Sequence, residues 1–178
     1  MRIIESEGLD SLSMRRIGKE LHVRDMALYH HFDRKDEILT GLVKKMFLDF
    51  NKIRPAGLKW RDYMTEVMSA YRAMGQRYPQ TFLLYSQRPW TEGGRTGDDL
   101  ILLEAGFGGE HTLFVLRNLV DYVTGFVVRH DVPKLMSEKE RDDEEFDADA
   151  AFRFGLAAIL DGCEAWLKSS TAARPFSY

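Results

Sequence analysis

The chain has 178 residues, which suits one or two small domains. Hydrophobic residues make up 44% and charged residues 30%, excluding wholesale disorder, and a net charge of −3 excludes a basic coat, so any nucleic-acid site is a local patch. The lone cysteine, Cys163, excludes an internal disulfide, and the longest apolar run, residues 113–128, is interrupted by Arg117, Asn118 and Asp121, so the chain is expected to be cytoplasmic with no membrane span.

Met14, Ile17 and Leu21 recur at helical spacing behind Ser13, a good N-cap. A short second segment carries Met26, Leu28, Tyr29 and Phe32. A third opens near Asp33, whose carboxylate can cap it, with Asp36 and Glu37 in its first turn. Its apolar face is Ile38, Leu39, Leu42, Val43, Met46 and Phe50. Helices are predicted over 60–78, 80–88, 98–104, 111–131 and 147–169. The valines between 115 and 128 favour strand in isolation, but they sit in a 20-residue pattern without turn residues, so a helix is expected. Residues 137–149 hold eight acids and two bases and are read as a solvated loop or a helix start. The fold class is all-α.

Residues 12–35 read LSMRRIGKELHVRDMALYHHFDRK: a helix, a turn at His22 and Val23, and a second short helix. That is a helix-turn-helix, whose second helix enters the DNA major groove. Gly18 is placed where the helices cross, and Ile17, Leu21, Val23 and Leu28 are expected between them. Residues 13–36 carry six Lys or Arg, four acids and three of the five histidines. Arg15 and Lys35 suit phosphates, to which Tyr29 and His31 can donate. Asp25 can accept from a cytosine amino group, and Met26 or Ala27 can touch a thymine methyl. Tyr29 is alternatively core, and Arg15 and Arg16 alternatively plain surface. His30 and His31 are adjacent, about 100° apart on a helix, so no metal is expected there.

These residues resemble the tetracycline-repressor family. The resemblance lies in Gly8, residues 12–17, Leu21, Val23 and above all residues 27–32, ALYHHF, followed by Lys35, Ile38 and Leu39. It implies that Asp25, Met26, Ala27 and His30 read bases. His22 stands where the family usually has glycine, Arg24 stands at a usual Ser or Thr cap, and the helix before Gly8 is expected to be truncated. A weaker resemblance continues through Trp60 with Tyr63, Arg88-Pro89, Gly106-Phe107 with Glu110 and Leu113, residues 124–127, residues 154–156, Gly162, Glu164 and Leu167-Lys168.

The resemblance implies a helix-turn-helix domain at 1–50 and a helical-bundle domain at 51–178 that dimerises through its last long helices and holds a ligand. It implies that ligand shifts the regulatory helices and that the fourth helix, Lys35–Phe50, moves the DNA-reading heads apart. The family's magnesium–tetracycline site is not expected, because Leu84 or Tyr85 matches its histidine ligand and Arg129 its acid. Amphipathic residues on the middle helices give pocket candidates: Met64, Met68, Tyr71, Tyr85, Arg117, Asn118, Asp121, Tyr122 and Phe126. Each is alternatively core or surface, and Arg117 and Asp121, four apart, can simply pair.

On the last helix, Ala151, Gly155, Ala158 and Gly162 form a small-residue stripe, flanked by Phe154, Ile159 and Trp166. The stripe suits a partner helix in a homodimer, or close packing inside one subunit. No nucleophile elbow, phosphate loop or zinc spacing is present, so neither enzyme activity nor a cofactor is expected. The function expected is a ligand-responsive repressor that binds palindromic operator DNA as a homodimer and is released by a small-molecule effector. The alternative is a helical small-molecule-binding protein that has lost DNA binding through its short first helix.

Overall fold

The structure is a computed structural model, and it describes residues 1–32, 34–52, 55–87, 97–132 and 146–172. Among these, α-helices run α1 Arg2–Glu7, α2 Met14–Leu21, α3 Asp25–Tyr29, α4 Lys35–Phe50, α5 Trp60–Arg77, α6 Pro79–Ser86, α7 Gly97–Glu104, α8 Gly109–Phe126 and α9 Ala148–Ala172. The described residues contain no strand, so the valine-rich segment is helical as expected. Two compact units form: Met1–Ile53 with Ala73–Trp90, and Arg54–Arg72 with Thr91–Tyr178.

The first unit is built on Ile3, Ile4, Leu12, Leu39 and Leu84, with Leu9, Ile17, Leu42 and Val43 packed against them. Ser13 Oγ accepts from the Arg16 amide at 3.1 Å and starts α2. The helix stops at His22, whose backbone is left-handed at φ 56°, ψ 35°, while Val23 N donates to Gly18 O at 2.9 Å. Gly18 is buried where α2 meets α3. Two residues expected in that core are not there: Leu21 is 58% and Val23 44% exposed. Helix α3 has five residues, and Leu28 is its buried side chain among those described, too little surface to cover the end of α2. Helix α4 opens at Lys35 after Arg34, which makes no side-chain cap; Asp33 lies outside the described residues. Pro79 opens α6 at its first turn, where a missing amide hydrogen costs nothing.

The second unit buries Tyr63, Met64, Val67, Met68 and Tyr71 of α5 together with Leu119 and Val123 of α8 and Phe152, Leu156 and Leu160 of α9. Helix α8 passes into a π-turn, Val127–Asp131, closed by Val132 N donating to Val127 O at 3.0 Å. Asp131 there takes both arms of the buried Arg72 guanidinium, at 2.7 and 2.8 Å, and Asp149 takes a third contact at 2.9 Å. The guanidinium also lies 4.6 Å from the Phe152 ring centroid and 5.1 Å from that of Phe126. The Asp131 hydrogen bonds raise the Arg72 pKa further, against the opposing effect of burial. Of the acidic stretch, most lies outside the described residues, but Asp147 Oδ1 accepts from Ala150 N at 2.9 Å and starts α9.

Candidate nucleic-acid interface

Helices α2 and α3 present several side chains of the motif to solvent. Arg15 on α2, Ala27 on α3, His30 and His31 just beyond it, and Lys35 at the start of α4 are all exposed. Met26 is 68% exposed and Tyr29 49%, so Tyr29 is no core residue. Asp25 opens α3, and its side chain lies outside the described residues. Met26, Ala27, Tyr29, His30 and His31 therefore share one short element and its C-terminal flank, as a groove-reading surface requires, while Arg15 and Lys35 lie on the helices to either side. Among the described residues no group of three or more His, Cys, Asp or Glu side chains is placed to hold a metal.

Arg16 behaves differently. Its guanidinium donates to both carboxylate oxygens of Glu7 on α1 and to Glu20 on α2, the last at 2.9 Å. These bonds hold both carboxyls below the usual range and push the guanidinium up. Arg2 adds a contact to Glu20 at 3.2 Å. The i, i+4 spacing of Arg16 and Glu20 was the visible signal for this pairing; Glu7 offered none.

The pocket candidates separate. Met64, Met68 and Tyr71 are buried, and the Tyr71 hydroxyl lies 3.2 Å from Thr124 Oγ1. Tyr85 belongs to the first unit, where its ring packs on Phe47 with centroids 4.9 Å apart. Leu84 is buried in the same unit and Arg129 is exposed in the second. Arg117, Asn118 and Asp121 are exposed, while Phe126 stacks edge-on to Phe152.

Asn118 and Tyr122 come together with Ile159, Gly162 and Trp166 along a groove of about 540 Å³ between α8 and α9. Phe107, His111, Phe114, Val115 and Cys163 complete it. These five escaped the sequence reading, although residues 111, 114, 115, 118 and 122 recur at helical spacing. His111 stacks on Trp166 with centroids 4.2 Å apart, and Phe107 lies on the same indole at 5.8 Å. Burial pushes the Cys163 thiol and the Tyr122 phenol above their ordinary values.

Of the small-residue stripe, Gly162 is exposed with no atom within 4 Å of a Cβ built there, and Ala158 is exposed. Ala151 is half-buried. Gly155 faces Tyr122 of its own subunit, whose hydroxyl donates to Phe152 O at 3.0 Å. Phe154 of α9 is 78% exposed, and Leu113 and Phe114 of α8 are exposed by 56% and 51%.

Comparison with known proteins adds four findings. Residues 1–42 match the family described as bacterial regulatory proteins, tetR family. The chain is 25% identical over 187 residues to the tetracycline repressor protein class G of Vibrio anguillarum, covering 92% of this chain and 89% of that one. Its fold matches a variant of TetR from Acinetobacter baumannii AYE in complex with minocycline at TM-score 0.76 and 25% identity, over 93% of this chain and 92% of the other. It also matches BioQ with its double-stranded DNA operator at TM-score 0.66 and 25% identity, over 92% of each chain. No helix among the described residues is long and apolar enough to cross a membrane.

Proposed function

Since the chain belongs to the tetracycline-repressor family of bacterial regulators, we propose that it is a ligand-responsive transcriptional repressor that binds palindromic operator DNA as a homodimer and is released by a small-molecule effector. The observation that carries this reading is the exposed reading surface of α3, with Met26, Ala27, Tyr29, His30 and His31 presented on a unit whose core lies elsewhere. Residues 1–50 read DNA and residues 51–178 sense the effector and dimerise. The operator-bound BioQ and the minocycline-bound repressor support the two halves of the reading.

The second copy of the chain covers the α8–α9 face, where Phe154, Leu113, Phe114 and Trp166 would otherwise stay in water. Two identical heads then read half-sites ~34–36 Å apart. The effector contacts Met64, Met68 and Tyr71 of α5 and Tyr122 and Phe126 of α8. Leu84, Tyr85 and Arg129 offer no ligands for a magnesium–tetracycline complex, so the effector is of another class.

The test is fluorescence anisotropy with DNA from upstream of the protein's own gene, titrated across salt, with sedimentation of the same sample. Specific binding by a dimer, roughly 10³-fold or more tighter than to random DNA, is the expected result. Equal affinity for specific and random DNA removes the repressor reading and leaves a helical small-molecule-binding protein.

A further inference from the structure

Helix α6 begins without a cap of its own. Tyr78 at its N-cap makes no side-chain hydrogen bond, and Pro79 follows, so the amides of Gln80 and Thr81 are orphan donors at the positive end of the helix. Both are taken by one carboxylate from far away in sequence. Glu5 Oε2 accepts from Gln80 N at 3.0 Å, and Glu5 Oε1 accepts from Thr81 N at 3.1 Å and from Thr81 Oγ1 at 2.7 Å. Thr81 is fully buried, and Leu84, one turn on, shares the core of Ile3, Ile4 and Leu39.

The two neighbours of Glu5 among the charged residues of α1 point the other way. Arg2 pairs with Glu20, and Glu7 with Arg16, both partners lying on α2. Six residues of helix thus hold α6 through one carboxylate and the first helix of the reading motif through two ion pairs. All of these contacts lie inside the first unit.

We infer that Glu5 is a positioning residue for DNA binding: it locks α6 onto α1, and α1 in turn fixes α2, so that the placement of α6 sets the placement of the reading helix. The inference rests on the reading of this unit as an operator-binding one. A charge-assisted bond to buried amides in a part-buried site is strong enough to hold such a joint. An acidic side chain already bonded to Gln80 and Thr81 offers nothing to a phosphate, so its loss removes no DNA-contacting cation and acts through the geometry of the reader.

The experiment compares Glu5→Ala, Thr81→Val and the double variant Glu5→Ala/Tyr78→Ser in the full chain. In Glu5→Ala, the amides of Gln80 and Thr81 exchange hydrogen about tenfold faster or more, and operator affinity falls about fivefold or more with an unchanged salt slope. Thr81→Val, which removes one of three bonds without removing volume, gives a smaller change in the same direction and serves should Glu5→Ala fold poorly. In the double variant, the hydroxyl that Tyr78→Ser introduces offers α6 a local cap. Amide protection and melting temperature recover while operator affinity does not. Recovery of operator affinity with the local cap, or unchanged affinity in both Glu5→Ala and Thr81→Val, overturns the positioning role and leaves Glu5 a plain helix cap. Failure of the unsubstituted protein to bind any operator is a separate result that overturns the repressor reading, while the exchange measurement still tests the joint.

Discussion

The phenol of Tyr122 stands where a side chain on Gly155 would have to go. A Cβ built on Gly155 comes within 2.7 Å of Tyr122 Cζ and nearer still to the hydroxyl. The ring is held there by its bond to Phe152 O and by stacking on Phe152 at 5.8 Å. Gly155→Ala is therefore expected to destabilise the second unit by about 1–3 kcal/mol through overpacking. Gly162→Ala, with open space around it inside α9, is expected to stabilise by about 0.5–1 kcal/mol through helix propensity alone. Denaturant melts of the two variants check this, and Tyr122→Leu in the Gly155→Ala background is expected to restore part of the loss.

Arg72→Ala is expected to cost about 3–5 kcal/mol, since it leaves the buried Asp131 carboxylate without its counter-ion. Asp149 is 68% exposed, so Asp149→Asn is expected to change stability by no more than about 0.5 kcal/mol. Equal losses in both variants, read from urea midpoints, would show that the ion pair is not the element that matters.

His22 holds a left-handed backbone that costs an L-residue roughly 1–2 kcal/mol and a glycine nothing. After the entropy glycine adds to the unfolded chain, His22→Gly is expected to stabilise the first unit by about 0.5–1 kcal/mol. A thermal melt of the variant decides the sign.

Stability is expected to fall at both ends of the pH scale for different reasons. Glu7 and Glu20, ordinarily near 4.5, are lowered by hydrogen bonds from Arg16, and Asp49, ordinarily near 3.8, by Lys52 and then Lys45. A lowered folded value means the unfolded chain binds the proton first, so this stability is present above about 4.5 and lost as pH falls through the folded values. Cys163, ordinarily 9.0, and Tyr122, ordinarily 10.0, are raised by burial. There the unfolded chain loses the proton first, so stability declines as pH rises past about 9. Urea midpoints against pH should show both limbs, with Arg16→Gln flattening the acid limb and Cys163→Ala the alkaline one.

The DNA contacts are expected to sort into two kinds. Lys35→Ala weakens binding to all sequences alike and lowers the salt slope by about 1. His30→Ala changes base preference at one position by about 1–3 kcal/mol. Competition binding against single-base operator variants distinguishes them, and uniform loss in both would remove the base-reading role of His30.

What could be read in the sequence was local. The Ser13 cap, the turn at His22 and the helix spans follow from spacing within a dozen residues, and they stand in the structure with ends shifted by a few residues. What could not be read depends on partners distant along the chain. Leu21 ends the apolar spacing of α2 and Val23 is an apolar turn residue, yet the described residues leave them 58% and 44% exposed. Tyr85 carries the chemistry of a pocket residue but packs against α4. Glu5 meets Thr81 across 76 positions and Arg72 meets Asp131 across 59, and no periodicity marks either pairing. The stripe on α9 announces a close approach at Gly155 without saying that the approaching group is Tyr122.

The saturation of Arg16 by Glu7 and Glu20 also bears on how the protein finds its target. Between residues 13 and 36 the motif has only two more cations than acids, and one of those cations is already neutralised by its own chain. With Arg16 held by its own chain, such a surface is expected to displace fewer condensed ions from a duplex than one in which every cation faces phosphate. In the proposed repressor this favours search by short visits through solution over long one-dimensional excursions, and a shallow salt dependence of binding to random DNA is the expected sign of it.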